Sequence, residues 1–266
     1  MDILTRRPGV VMEGPLFSYR GKLDAGELRP DPAQELLAEK LQNLHRALSG
    51  YKPSSGQAGW KERLGLTRRR GTPLQGIYIY GGVGAGKSML MDLFFGTAPV
   101  AKKRRVHFHA FLQDVHSRFT AFRKTKGEDE GDPIPTVAND LADEAWLLCF
   151  DEFQVSNIVD AMILGRLFEA LFERDVVIVA TSNRHPQDLY KNGLQRSKFL
   201  PFIDLIIENL DILKLTSVED YRLKRMLGMQ VYHEPLGPAA SQSLNVYFKE
   251  LSDGQRVKTD IIEIKG

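Results

Sequence analysis

Between residues 31 and 48, leucines stand at 36, 37, 41, 44 and 48, the spacing of one face of an α-helix. Asp31 precedes them as an N-cap, and Pro32 takes the first helical position, where a missing N–H costs nothing. From residue 71 the pattern changes. Short apolar runs at Ile77–Tyr80, Val106–Phe108, Leu147–Phe150, Val176–Ala180 and Leu205–Ile207 read as five strands. Amphipathic stretches separate most of them. In Asn157–Phe172, for example, Ile158, Met162, Ile163, Leu167 and Leu171 are expected on one helix face. Fully apolar strands alternating with helices predict an α/β fold with a parallel sheet covered on both sides.

Punctuation divides the chain. The Pro/Ser/Gly-rich stretch Tyr51–Gly59 and the basic triplet Arg68-Arg69-Arg70, closed by Gly71 and Pro73, set a helical segment at 1–70 apart from a core at 71–215. The acid- and glycine-rich interval 124–133 reads as an exposed loop. In the extension 216–266, Asn245–Leu251 and Val257–Lys265 flank Asp253-Gly254 and read as a β-hairpin.

The chemistry begins at Gly81-Gly82-Val83-Gly84-Ala85-Gly86-Lys87-Ser88, which fits G-x-x-x-x-G-K-[ST] at every fixed position, after a strand and at the start of a helix expected over Lys87–Phe95. Glycines let backbone N–H groups converge on phosphate oxygens, and the helix N-terminus adds about half a positive charge. Lys87 is expected to reach the β- and γ-phosphates of ATP, and the Ser88 hydroxyl to ligate Mg²⁺. Leu147–Phe150 then delivers Asp151 and Glu152 to the carboxyl edge of the sheet, where ligands of open α/β folds bind. Asp151 is the expected Mg²⁺ carboxylate and Glu152 the group that polarises the attacking water. The strand Val176–Ala180 runs into Thr181-Ser182-Asn183. Asn183 is assigned as the sensor beside the γ-phosphate, against the plainer reading of a strand-end turn cap.

Composition narrows the partners. Lys and Arg total 36 against 34 Asp and Glu, a net charge of +2 that argues for neither nucleic acid nor an anionic membrane. The basic runs Arg68–Arg70 and Lys102-Lys103-Arg104-Arg105 read as solvated faces, with phosphate contact as the alternative. Cys149 has no cysteine to pair with and reads as a small core residue. No run approaches the roughly 18 apolar residues of a membrane span, and Met1–Val11 lacks a signal-type apolar stretch, so a cytoplasmic location is expected. His107, His109 and His116 lack the cysteine or acid that would complete a zinc set, although the first two are expected on one strand face. Asp31 and Gln34, opening the first helix, are placed near the adenine.

These motifs and their surroundings resemble the ZapE family of AAA+ ATPases, bacterial division-associated proteins with mitochondrial relatives. The resemblance spans about residues 19–235. It rests on Gly76–Ser88, His107-Phe108-His109-Ala110-Phe111, Phe150–Val155, Asp160-Ala161-Met162, Thr181–Pro186, Asp188–Arg196 and Asp220-Tyr221-Arg222. It implies the P-loop NTPase AAA+ core with sheet order 5-1-4-3-2, ATP hydrolysis, and homo-oligomers in which an arginine completes a neighbour's site. Arg196 stands where that finger is expected, with Arg184 as its competitor and a local salt bridge as the plainer role. The implied partner is FtsZ or another division protein, with recruitment to the division site. The mitochondrial relatives imply membrane-protein quality control at the inner-membrane periphery. Relatives continue past Gly266 into a helical lid, which implies a shortened chain with weakened hydrolysis. A helicase-loader type of nucleic-acid remodeller shares the core and rests here on the two basic runs alone. A small-molecule kinase is disfavoured, because kinases rarely combine Asp-Glu at a strand end with a later Asn sensor.

Overall fold

The N-terminal helices form as the leucine spacing predicts. In the computed structural model, which describes residues 13–53, 74–126, 131–216 and 237–251, α1 spans Pro15–Asp24 and α2 spans Pro32–Ala47. Asp31 caps α2, its Oδ1 accepting from the N–H of Ala33 at 2.9 Å and of Gln34 at 3.3 Å. Leu37, Leu41, Leu44 and Leu48 are buried, whereas Leu36 is exposed. Leu36 and Leu37 are neighbours and point about 100° apart on a helix, so both cannot face one core.

The core runs β1 (Gly76–Gly81), α3 (Lys87–Thr97), β2 (Lys103–His107), α4 (Phe108–Lys126), α5 (Pro133–Glu144), β3 (Leu147–Asp151), α6 (Ile158–Phe172), β4 (Val177–Ser182), α7 (Leu200–Asn209) and β5 (Leu210–Leu215). The five strands form one parallel sheet in the order β2-β3-β4-β1-β5, the expected 5-1-4-3-2 read from its other edge. Alternation along each strand feeds two apolar layers. Ile77, Ile79, Cys149, Val177 and Val179 pack against α1, α2 and α3. Tyr78, Phe150, Ile178 and Ala180 face α4 to α7, where Phe108, Phe111, Phe153, Phe168 and Phe202 make a chain of ring contacts. Each ring so buried contributes about 2–3 kcal/mol. Cys149 is a core residue, as read from the sequence, and burial pushes its thiol far above the usual range.

Several expectations need correction. Leu205–Ile207 is not a strand. It lies in α7, where Phe202, Ile203 and Ile206 recur at helical spacing and are buried. The fifth strand is Leu210–Leu215, an edge strand carrying Asp211 and Lys214; Asp211 meets Lys40 of α2 at 3.4 Å. The second strand is Lys103–His107, and Phe108 already opens α4, so His107 and His109 do not share a strand face. Asn245–Leu251 falls in the helix α8 (Pro238–Leu251), which starts with a proline and two alanines; the companion run Val257–Lys265 lies outside the described residues. On α6 the inner face is Ala161, Leu164, Leu167, Phe168 and Leu171, and Met162 is exposed. The interval 124–133 is helical at both ends, in α4 and α5, and residues 127–130 are outside the described set.

The chain forms two compact units, Met1–Asp220 and Tyr221–Gly266. The first holds α1 to β5; of the second, α8 is described. Among the described residues, no helix is long and apolar enough to cross a membrane.

Candidate active site

A parallel sheet aligns the carboxyl ends of its strands, and here the ends of β1, β3 and β4 carry the candidate chemistry. Register pairs Ile79 with Thr181 and Tyr80 with Ser182 across β1 and β4, and His107 with Asp151 across β2 and β3. Gly81, Ser182, Asp151 and His107 therefore end their strands along one edge.

The loop 81–88 leaves β1 and enters α3. Gly81 sits so close to β5 that an added Cβ would lie 2.1 Å from the Leu215 carbonyl oxygen. Gly86 is the α3 N-cap at φ +96°, a left-handed conformation that a side chain would strain, and it supplies no side-chain cap. The N-terminal end of α3, with its partial positive charge, thus faces the loop with no N-cap side chain over it. Ser88 lies exposed in the first turn of α3. The Lys87 ammonium donates to the carbonyls of Gly81 at 2.8 Å and Gly82 at 2.7 Å, and to Asn183 Oδ1 at 2.9 Å. Gln34 of α2 is buried and donates through Nε2 to the Ala85 carbonyl at 3.0 Å. The start of α2 thus braces the loop backbone, while Asp31 serves as the helix cap.

At the end of β3, Asp151 is buried and Glu152 exposed. Glu152 has φ +56°, an uncommon left-handed conformation for a side-chain-bearing residue. The turn is held by β4: Glu152 N–H donates to Thr181 Oγ1 at 3.4 Å, and Phe153 N–H to the Thr181 carbonyl at 2.7 Å. It leaves the acid at the surface and returns Phe153 to the core. Ser182 Oγ adds a bond to the Phe153 carbonyl at 2.7 Å and accepts from the Arg184 N–H at 3.1 Å. Asn183 follows β4, beside β1, which is why its amide meets Lys87. The acid pair and the sensor thus stand at the ends of adjacent strands, one of which also adjoins the phosphate-loop strand.

The run 102–105 is a solvated face only at Lys102, which is exposed; Lys103, Arg104 and Arg105 are half-buried. Lys102 donates to the Asp143 carbonyl and lies 5.6 Å from the Trp146 ring centre. Lys103 donates to the Phe95 and Ala98 carbonyls at the end of α3. Arg104 pairs with Asp114 and Glu144, and Arg105 with Asp151 and Asp92. Burial alone would lower the pKa of Arg105, but hydrogen bonds and charge from both aspartates outweigh it and hold the guanidinium above its ordinary value. Sequence reasoning named Arg105 in a basic run and Thr181 in a motif, but gave neither a place in the site. Parallel pairing of β2 with the acid strand was the signal that could have found Arg105.

The segment 183–199 turns sharply, with Tyr190, Asn192 and Gln195 all at positive φ. Arg196 follows Gln195 and donates through Nη2 to the Gln187 carbonyl at 2.5 Å, a local bond to a carbonyl rather than to an acid. Its buried Nε has no hydrogen-bond partner among the described residues. Arg184 is exposed, and its carbonyl accepts from the Tyr78 hydroxyl at 3.0 Å. His116 pairs with Asp160 at 2.6 Å, and among the described residues no group of three His, Cys, Asp or Glu stands together as a metal cluster. Arg68–Arg70 lie outside the described residues.

The family model for AFG1-like ATPase matches residues 14–266. The chain is 37% identical over 256 residues to the cell division protein ZapE of Escherichia coli strain K12, covering 94% of this chain and 67% of that protein. It is 36% identical over 292 residues to lactation elevated protein 1 homolog B of Danio rerio, covering 93% of this chain and 58% of that one. Among solved structures, it resembles AMPPCP-bound DnaA from Aquifex aeolicus at 16% identity and a TM-score of 0.47, covering 85% of this chain and 64% of that chain.

Proposed function

Because the chain belongs to the AFG1-like ATPase family, we propose that residues 81–88, Asp151, Glu152 and Asn183 form its ATP-hydrolysing site and that the energy is spent on a protein partner in cell division. The observation that carries the site is one row of contacts along the sheet edge. Lys87 meets Asn183 at the end of β4, and Thr181 of the same strand lies 3.5 Å from Asp151 Oδ1 at the end of β3. Lys87 and the N-terminal end of α3 bind the phosphates. A hydroxyl and a carboxylate, Ser88 and Asp151, are hard oxygen donors of the kind Mg²⁺ takes with phosphate and water, so the residues present fit that ion. Ser88 and Asp151 would hold that ion, which would supply neutralisation of the charge developing on the phosphates. Exposed Glu152 orients and polarises the attacking water, and Asn183 holds Lys87 and steers that water.

Arg196 is the proposed finger that enters a neighbouring subunit's site. Among the described residues its hydrogen bond goes to one local carbonyl, which a conformational change can release. Exposed Arg184 is the competitor, and turnover in mixtures of wild type with Arg196→Ala or Arg184→Ala separates the two. The division role rests on the similarity to ZapE, a cell division protein by name, with FtsZ as the proposed partner. The nucleic-acid reading loses support, because the cations of 102–105 are engaged inside the domain.

Phosphate release measured with and without FtsZ polymer or DNA tests this reading. Mg²⁺-dependent turnover that responds to FtsZ and ignores DNA is expected, together with nucleotide-dependent self-association. Turnover indifferent to FtsZ, with no binding, removes the division role. DNA stimulation with a steep salt dependence would instead favour the helicase-loader type.

A further inference from the structure

Asp151 receives two hydrogen bonds from one guanidinium. Arg105, on the neighbouring strand, donates through Nε to Oδ2 at 2.7 Å and through Nη2 to Oδ1 at 3.3 Å. Its remaining arm, Nη1, donates to Oδ1 of Asp92 in α3, the helix that opens with Lys87 and Ser88. Register places Arg105 opposite Cys149 and His107 opposite Asp151, so the arginine reaches along the sheet toward its edge to meet the acid. The side chains are 21% exposed for Arg105, 11% for Asp151 and 64% for Asp92. One cation therefore links the carboxylate of the acid strand to the helix of the phosphate loop.

We propose that Arg105 is a positioning residue for the divalent cation: its planar fork fixes the orientation of the Asp151 carboxylate, and its bond to Asp92 sets that carboxylate against the Lys87–Ser88 helix. The inference rests on the site reading given above and deepens it. A carboxylate offers about four acceptor positions on two oxygens, and the fork takes two, leaving room on both oxygens for the cation's water shell. Without Arg105, the side-chain hydrogen bond left to this buried carboxylate among the described residues is from the Thr181 hydroxyl at 3.5 Å, too long to hold an orientation. A lysine would return the charge but not the fork, because an ammonium is a point donor that cannot hold both oxygens in one plane. A role limited to charge balance and a role in orientation thus predict different behaviour for the lysine variant.

The test is binding of a fluorescent ADP analogue to the wild type and to Arg105→Met, Arg105→Lys, Asp92→Asn and Asp151→Asn, first in EDTA and then across a Mg²⁺ titration. Metal-free affinity should stay close to wild type in the Arg105 and Asp92 variants. The Mg²⁺ concentration at half-maximal tightening should rise about 10-fold or more in Arg105→Met, stay raised in Arg105→Lys, and rise by a smaller factor in Asp92→Asn. A midpoint unchanged in Arg105→Met, or restored by Arg105→Lys, overturns the proposal. If Arg105→Met has lost its fold by melting and metal-free binding, Asp92→Asn decides, and an unmoved midpoint there overturns it. If Asp151→Asn leaves the wild-type Mg²⁺ response intact, the site reading itself fails and this inference falls with it. If Asp151→Asn abolishes the response while the Arg105 and Asp92 variants keep it, this inference alone fails.

Discussion

The glycine-rich loop 81–88 and the basic run 102–105 stand at opposite ends of α3, and they use charge in contrary ways. The loop has one cation, Lys87, held by two loop carbonyls and Asn183 at the sheet edge. The run has four, and each turns back into the domain. Lys103 satisfies carbonyls at the end of α3, Arg104 joins β2 to α4 and α5, and Arg105 braces the acid strand. The loop's role is set by backbone shape, which fixed glycine spacing encodes locally. The run's role is set by whatever packs opposite it, which no local spacing records. Cations that look alike on paper thus divide into one that meets the loop and Asn183, three that hold the domain together, and Arg105, which braces the acid strand.

Substitutions can break this contrast, and the largest effects belong at the sheet edge. Glu152→Gln should keep nucleotide affinity while turnover falls on the order of 10²–10⁴-fold, as read by phosphate release, because general-base work is lost and binding is not. Asn183→Ala should lower turnover by about 10- to 100-fold, the worth of one hydrogen bond to a charged group; an unchanged rate would leave Asn183 as a turn residue. At the other end of α3, Arg104→Ala should cost about 1 kcal/mol and a few degrees of melting temperature, with turnover near wild type. A rate loss there would erase the division of labour.

The smallest effect is a pH dependence within the same ion-pair network. Burial pushes the Asp114 carboxyl up, but hydrogen bonds and charge from Arg118 and Arg104 outweigh it and hold it below the usual carboxylate range. A depressed carboxyl contributes stability above its unfolded pKa and loses it as pH falls through the folded value. The melting advantage of the wild type over Asp114→Asn should therefore hold steady near neutrality and disappear in acid below about pH 4.

What the sequence made legible follows the same line. β1, β3 and β4 are central strands, apolar on both faces, and their runs stood out. The phosphate loop, the acid pair and Asn183 all sit at the ends of those strands, so the candidate residues stood out beside them. β2 and β5 are the edges. Lys103, Arg104 and Arg105 hid β2 because what satisfies them, carbonyls at the end of α3 for the lysine and acids from other elements for the arginines, is set by the tertiary fold. Asp211 and Lys214 hid β5, while the more apolar Leu205–Ile207 in α7 drew the strand reading to itself. Asn245–Leu251 misled for a related reason: its apolar residues were counted without the proline and alanines at 238–240 that start the helix. Gln34 was tied to the nucleotide by its place in the chain, but its bond to the Ala85 carbonyl needed the tertiary fold.

Everything at the sheet edge requires that Lys87 and the acid strand serve the same nucleotide. The most direct measurement is nucleotide affinity and phosphate release for Lys87→Ala beside the wild type, with melting temperature as the check on folding. Both quantities are expected to fall by at least about 10²-fold while the fold persists. A folded variant that binds and turns over ATP like the wild type would contradict that requirement.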